Sequence, residues 1–413
     1  MWSQQSADGG WHSKTHAVLK DGKALTPYIL YYLLLIPEDT YERPAGAAER
    51  GIQFIQKEIS RSMAVNNDSV VSLNYPNYSA AYALRVLCLV QQDTALQAII
   101  ANHLLKQQYV EHRGITPDNV AYGGWGYGEP DLPFGKHGHE DISHTRRIVE
   151  ALNEYAHTPN PHLSRSHVLT LSQTEAEAEA KAKPKETHTQ DSLFSRSHVL
   201  TLSQTEAKAK VKETHTQDLL ILRSYVPTLL RSVTLFLEGV QRAPEDLRLY
   251  EGCTSRKNLP YDGGFVSSVA TLGANKCEPV FIKEAGYYYP SYATATCDGL
   301  LALHALGLMD SEAYKEAAHW LEKNQNMDSI DGLSPDDPEQ WYQVMHYYHF
   351  AVRAEAMTVA GIEGPWRDNL TRMLIREQQP NGYYINPIGG INKEDDPLMS
   401  TIFALQAARL LVD

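Results

Sequence analysis

No run of apolar residues in this chain is long enough to cross a bilayer; the longest, Tyr28–Ile36, is nine residues held between two prolines. Basic blocks are missing as well. Lys+Arg number 37 against Asp+Glu 50, a net charge of 37 − 50 = −13, which argues against nucleic acid or an anionic membrane as the main partner. Cysteine is scarce, four in 413 residues, so no disulfide scaffold is expected. The residues after Met1 are polar and form no signal peptide, which makes the cytoplasm the default compartment. No Gly-x-Ser-x-Gly nucleophile and no phosphate-binding glycine loop occurs, and no cofactor is expected. What remains is soluble-protein composition, 43% apolar and 21% charged, with two excesses: 24 Tyr and 17 His. A Tyr-rich chain must find surroundings for its rings and hydroxyls.

One turn recurs. Asp8-Gly9-Gly10-Trp11 returns as Gly123-Gly124-Trp125-Gly126-Tyr127-Gly128, as Asp262-Gly263-Gly264-Phe265 and, weakened, as Asn381-Gly382-Tyr383-Tyr384. Paired glycines beside an aromatic residue suit a tight turn with an aromatic plug. Four in one chain make a repeat pattern.

Between the turns, two kinds of segment alternate. Leu25–Ile36, Tyr78–Val90, Ile142–Tyr155, Tyr292–Leu308, Trp341–Ala360 and Pro397–Val412 are largely apolar or aromatic and predict buried helices. Gly51–Ile59, Ala95–Leu105, Tyr225–Val240, Ser311–Asn326 and Trp366–Gln378 are apolar on one face only; Tyr314, Ala317, Ala318 and Leu321 show the i, i+3, i+4, i+7 spacing. The alternation predicts an all-α fold, an α/α toroid with an inner ring of six helices and an outer ring of five to six. Met1–Gln5 reads as the last turn of an outer helix lying upstream, a reading that leaves an export signal open.

One segment is foreign to the ring. Ser164–Ala176 recurs letter for letter as Ser195–Ala207, and Lys185–Asp191 as Lys212–Asp218. This duplicated low-complexity insert, residues 157–222, divides the toroid into residues 1–156 and 223–413. It is expected to be disordered or loosely helical, or else an arm that binds a protein partner.

The turns and helix starts resemble those of the prenyltransferase and squalene cyclase repeat superfamily. The residues that carry the likeness are Gln4-Gln5-x-x-Asp8-Gly9-Gly10-Trp11, Gly123–Tyr127, Asp262–Phe265 and Gln378-Gln379-x-Asn381-Gly382-Tyr383. Tyr75–Tyr78, Asp141–Thr145 and Tyr292–Gly299 are similar too. The likeness spans nearly all of the chain outside the insert. It implies the terpenoid-cyclase-like toroid and a cavity for an isoprenoid or other apolar ligand.

The departures from that family are specific. Its class II cyclases carry Asp-x-Asp-Asp, with the middle Asp as proton donor, but the counterpart here, Asp141-Ile142-Ser143-His144, has serine there. A serine hydroxyl is far too weak an acid to protonate an alkene. The family's prenyltransferases hold zinc with Asp-x-Cys and a later His, whereas Ala295-Thr296-Cys297 has lost the Asp. A conventional cyclase or zinc prenyltransferase is therefore not expected.

Three constellations remain. His137, His139, Asp141 and His144 offer four ligand-type side chains after a glycine loop; they read as a metal set or as a solvated loop that ends in a helix cap, the latter preferred. Tyr28, Tyr78, Trp125, Tyr292, Trp341, Tyr342 and His346 are the candidates for an aromatic cavity lining, where ring faces would stabilise a cation or stack on a ligand. Asp395-Asp396-Pro397 and Asp336-Asp337-Pro338 read as helix starts. Asp141 and His144, with Asp395 or Asp396 opposite, are the candidates for proton transfer. Cys253 and Cys277 flank the third turn and are placed to pair if the protein is exported. The expected function is thus an aromatic-lined toroid for an isoprenoid or other apolar small molecule. A non-catalytic scaffold for protein interaction and a carbohydrate-active α/α barrel stand as alternatives.

Overall fold

The computed structural model describes residues 1–65, 75–129, 132–158 and 228–412. Apart from His157 and Thr158, the duplicated insert lies outside them. Helices dominate, as the alternating patterns predict: α1 (Leu25–Leu34), α2 (Ala47–Val65), α3 (Pro76–Leu89), α4 (Thr94–Lys106), α5 (Ile142–His157) and α6 (228–241) in the first part of the chain. Then come α7 (Ala293–Ala305), α8 (Glu312–Lys323), a short α9 (Trp341–Val344), α10 (His346–Val359), α11 (Trp366–Glu377) and α12 (Pro397–Ala408). No helix among the described residues is long and apolar enough to cross a membrane.

Helices α1, α3, α5, α7, α10 and α12 pack in succession, each on the next, and α12 packs back on α1. In addition α2 packs on α1, α4 on α3, α8 on α7 and α11 on α12. The sequence assigned these segments to two classes, and burial separates them clearly in the pair α7 and α8. In α8 only Tyr314, Ala317, Trp320 and Leu321 are buried, whereas α7 is buried from Ala293 to Leu303.

The repeated turn has a repeated set of hydrogen bonds. Side-chain amides of Gln5, Gln108 and Gln241 donate to the carbonyls of Gly9, Gly123 and Gly263. Two residues on, the backbone N–H groups of Trp11, Trp125 and Phe265 donate to the hydroxyls of Thr26, Thr145 and Thr296, at 3.0, 3.1 and 3.0 Å. Tyr384 does the same to Thr401 at 3.0 Å in the weakened copy. Each turn is thereby tied to the first turn of a buried helix. At Gly123, φ is +90° and an added methyl would stand 1.8 Å from the Ser232 carbonyl oxygen of α6, so only glycine fits. Gly382 of the weakened copy has nothing within 4 Å.

One expectation is corrected. The segment 341–360 is not one helix. Met345 leaves helical geometry at φ −99°, ψ 35°, because side chains have taken over the backbone bonds there. The Asn386 amide donates to the Gln343 and Val344 carbonyls, and the buried Glu394 carboxylate accepts the N–H groups of Tyr347 and Tyr348 at 2.9 and 2.8 Å. The described residues are otherwise mostly helical, as expected of an all-α chain, with one short antiparallel hairpin between Val280–Ile282 and Gly286–Tyr288, where β-branched and aromatic residues flank a short turn.

Candidate functional site

A cavity of about 230 Å³ lies where the N-terminal halves of α1, α3, α5, α7, α10 and α12 meet. One part of its wall is aromatic and apolar. Tyr28, Tyr78, Tyr292, Tyr348 and Phe403 line it, with Met345 and Met399 beside them. The Tyr28 ring lies 5.7 Å from Tyr78 and 5.7 Å from Phe403. The Tyr292 hydroxyl meets Ser267. Burial drives the phenols of Tyr28, Tyr78 and Tyr292 well above the ordinary tyrosine range, so they stay neutral.

The other part carries charge. Asp141, at the N-cap of α5, uses one carboxylate oxygen to accept the His144 N–H at 2.8 Å and the Ser143 hydroxyl at 2.7 Å. Its second oxygen meets Nδ1 of His144 at 2.8 Å and Nε2 of His139 at 3.3 Å. A carboxylate only accepts, so His144 carries its proton on Nδ1 and leaves Nε2 for a ligand. Burial alone would raise the Asp141 carboxyl; His144 and His139 beside it hold it well below the usual carboxylate range. Tyr127 fixes both rings, stacked on His139 at 4.2 Å and edge-on to His144 at 4.8 Å.

Beneath the cavity the centre is filled with buried ion pairs rather than apolar side chains. Arg146, 1% exposed, reaches Glu150 at 2.7 Å, Asp298 at 3.2 Å and Glu355. Arg85 bridges Glu150 and Glu154, and Arg409 meets Glu355 at 2.9 Å. Arg147 lies 3.6 Å from Asp298, which also accepts the Tyr348 hydroxyl at 2.7 Å. Burial would raise Glu355, but Arg146 and Arg409 bring it down to about 2. Of this network, Arg147, Asp298 and Tyr348 reach the cavity wall.

The sequence candidates divide. Asp141, His144, Tyr28, Tyr78, Tyr292 and His139 do line the cavity. Trp125 does not: it is wholly buried, its indole N–H donating to the Leu104 carbonyl at 2.7 Å. Trp341, Tyr342 and His346 also lie off the wall; the Trp341 indole meets Glu339, and His346 pairs with Glu377 at 2.8 Å. Asp396 caps α12 through the Leu398 N–H and accepts from Ser13, while Asp395 pairs with His16 at 2.6 Å. Neither faces the cavity; the neighbouring Asn392 and Lys393 do. Among the described residues no group of three or more His, Cys, Asp and Glu side chains is arranged to hold a metal. His137 turns away, its ring 6.4 Å from Tyr109. Cys253 and Cys277 are free thiols, with the Cys277 thiol donating to the Pro290 carbonyl.

Residues that the sequence reading passed over include Tyr127, Arg147, Lys276, Asp298 and Lys393, all on the cavity wall. Charged residues inside helices that otherwise read as buried were the available signal for Arg147 and Asp298. Lys276 and Lys393 sit in loops, and no periodicity marks them. No known family model matches the chain, and no curated protein sequence matches it.

Proposed function

We propose that the six successive helices close an α/α toroid of the prenyltransferase and squalene cyclase kind, and that its central cavity binds a small molecule for acid–base chemistry. The observation that carries this reading is the Asp141–His144 pair on the cavity wall. In it, Nε2 of His144 takes a proton from the bound molecule and returns it, while Asp141 holds the ring and stabilises the imidazolium, a role worth about 10²–10⁴ in rate. The cycle of helix contacts and the repeated Gln–Gly and aromatic–Thr bonds support the toroid.

Size favours a compact ligand over a long isoprenoid, one with an apolar face for the rings and a polar group for the charged part of the wall. The cavity volume is about 230 Å³. It falls below the ~300–1,000 Å³ of common ligand sites. A purely apolar ligand would displace water from Lys276 and Lys393 on the wall without giving them a partner. A scaffold role is the second reading, favoured by the ion pairs that fill the centre below the cavity.

Ligand-observed NMR with a library of small polar molecules separates the two. Binding to the wild-type chain that disappears in Met399→Trp, which places an indole in the cavity, supports the ligand site. Equal behaviour of the two proteins supports the scaffold.

A further inference from the structure

Two cations on the cavity wall have no carboxylate of their own. The Lys276 ammonium lies 4.1 Å from the ring centroid of Trp341, and that of Lys393 lies 5.3 Å from the ring of Tyr75. Neither has a carboxylate within 4.0 Å among the described residues. Asp141 and Glu339 attract Lys276 only from beyond that distance, while Arg147 faces Asp298 and Asp141 stands between His139 and His144. Ring faces compensate an ammonium in part. They cannot neutralise it.

The helix ends add to the imbalance. Side-chain carboxylates occupy the N-termini of α5, α10 and α12, supplied by Asp141, Glu394 and Asp396. The N-termini of α1, α3 and α7 have no side-chain cap, and their N-cap residues Ala24, Tyr75 and Tyr292 all line the cavity. Their positive ends lie at the same wall as the two lysines. Lys393 and Tyr75 both hold left-handed backbone, φ 64° and 50°, an uncommon choice for residues with side chains. The two loops meet there, one ammonium over one ring.

We propose that the cavity takes a compact anion, a carboxylate or phosphate ester on a small polar ring, with its charged group between Lys276 and Lys393 and its reacting bond at His144. This rests on the reading of the cavity as a ligand site and adds its charge class. A neutral ligand of the same size leaves both ammonium groups facing it without a partner, and the anion removes that cost. Asp141 is already engaged by two histidines and a helix N-terminus, so it does not repel the anion as a bare carboxylate would.

Calorimetric titration of the full chain with D-glucuronate, D-glucose 6-phosphate and D-glucose tests this, at low and at high ionic strength. The expected result is that at least one anion binds tenfold or more tighter than glucose, and that the advantage shrinks with salt. Comparison of the two anions tells carboxylate from phosphate. Lys276→Met with Lys393→Met is expected to abolish the advantage, and Lys276→Arg with Lys393→Arg to keep it. Should the double methionine variant not fold, the two single variants are read in the same way. Glucose binding as tightly as both anions, no anion binding, or anion binding unchanged in the methionine variants would overturn the proposal. Met399→Trp separates the two failures. Binding that is lost there but indifferent to charge keeps the cavity and removes the anion, whereas anion binding that survives there removes both.

Discussion

Asp141 and His144 are joined twice, through the helix cap at 2.8 Å and through the imidazole Nδ1 at 2.8 Å. One carboxylate therefore starts α5 and sets the tautomer of the ring three residues on. The two jobs separate by substitution. Asn caps a helix about as well as Asp, so Asp141→Asn should still start α5 while the ring loses its anionic partner, at a cost of about 1–3 kcal/mol for the buried charged bonds that are lost. Nitrogen NMR of the histidine rings checks this: the Nδ1-protonated form of His144 in the wild type gives way to a tautomer mixture in Asp141→Asn.

Glu394 caps α10 from a distant loop and also accepts the amides of Asn386 and Asn392 at 3.1 and 3.0 Å. Glu394→Ala strands several buried donors at a cost of about 1–3 kcal/mol each. Urea unfolding should show a loss of at least about 3 kcal/mol, with Glu394→Gln losing less because its carbonyl still accepts.

Glu140 is fully buried, and burial pushes its carboxyl up to about 8, with Ser268 pulling the other way and Asp141 adding to the rise. The unfolded chain releases this proton near the ordinary glutamate value of 4.5. Between those two values the folded state binds the extra proton, so the contribution of Glu140 is fully present below the lower value and is lost as pH rises through the upper one. Glu140→Gln does not titrate. Its stability relative to the wild type should rise by up to about 1.4 kcal/mol per pH unit across that window and level off above it, as thermal melts of both proteins over a pH series will show.

Arg146 holds three buried carboxylates at once. Arg146→Met leaves Glu150, Asp298 and Glu355 without their shared cation, and removal of one partner from a buried ion cluster costs about 3–5 kcal/mol. A loss below about 1 kcal/mol in denaturant titration would mean that the cluster repacks or takes up protons readily.

Gly123 and Gly307 give a controlled comparison. Both have positive φ, +90° and +74°, but only Gly123 packs against a neighbouring carbonyl; Gly307 has nothing within 4 Å. Gly307→Ala should cost only the left-handed backbone penalty, roughly 1–2 kcal/mol. Gly123→Ala should cost clearly more, since α6 must move, and differential thermal unfolding of the two variants measures the gap.

The helices were legible because burial leaves a period in sequence. Tyr314, Ala317 and Leu321 announce a one-faced helix, and Leu25–Ile36 announces a buried one. The double-glycine turns were legible too, since a backbone contact such as that of Gly123 tolerates no other residue. The break at Met345 was not, because it depends on Asn386 and Glu394, some forty to fifty residues away. The site was half legible. Asp141 and His144 stood out by their spacing at a helix start, and Tyr28, Tyr78 and Tyr292 by their place on buried helices. Trp125 and Trp341 looked equally suitable, yet an aromatic plug in a turn and a ring at a cavity wall read alike in sequence. The lysines were invisible, because what distinguishes Lys276 and Lys393 is the absence of a carboxylate partner in space.

The central claim is that the cavity at the helix N-termini holds a small molecule. Native mass spectrometry of the full chain taken directly from its expression host, side by side with Met399→Trp, tests it most directly. The account predicts a compact polar adduct at near one-to-one stoichiometry on the wild type and none on Met399→Trp. An adduct retained by Met399→Trp, or a long apolar lipid in its place, would contradict it.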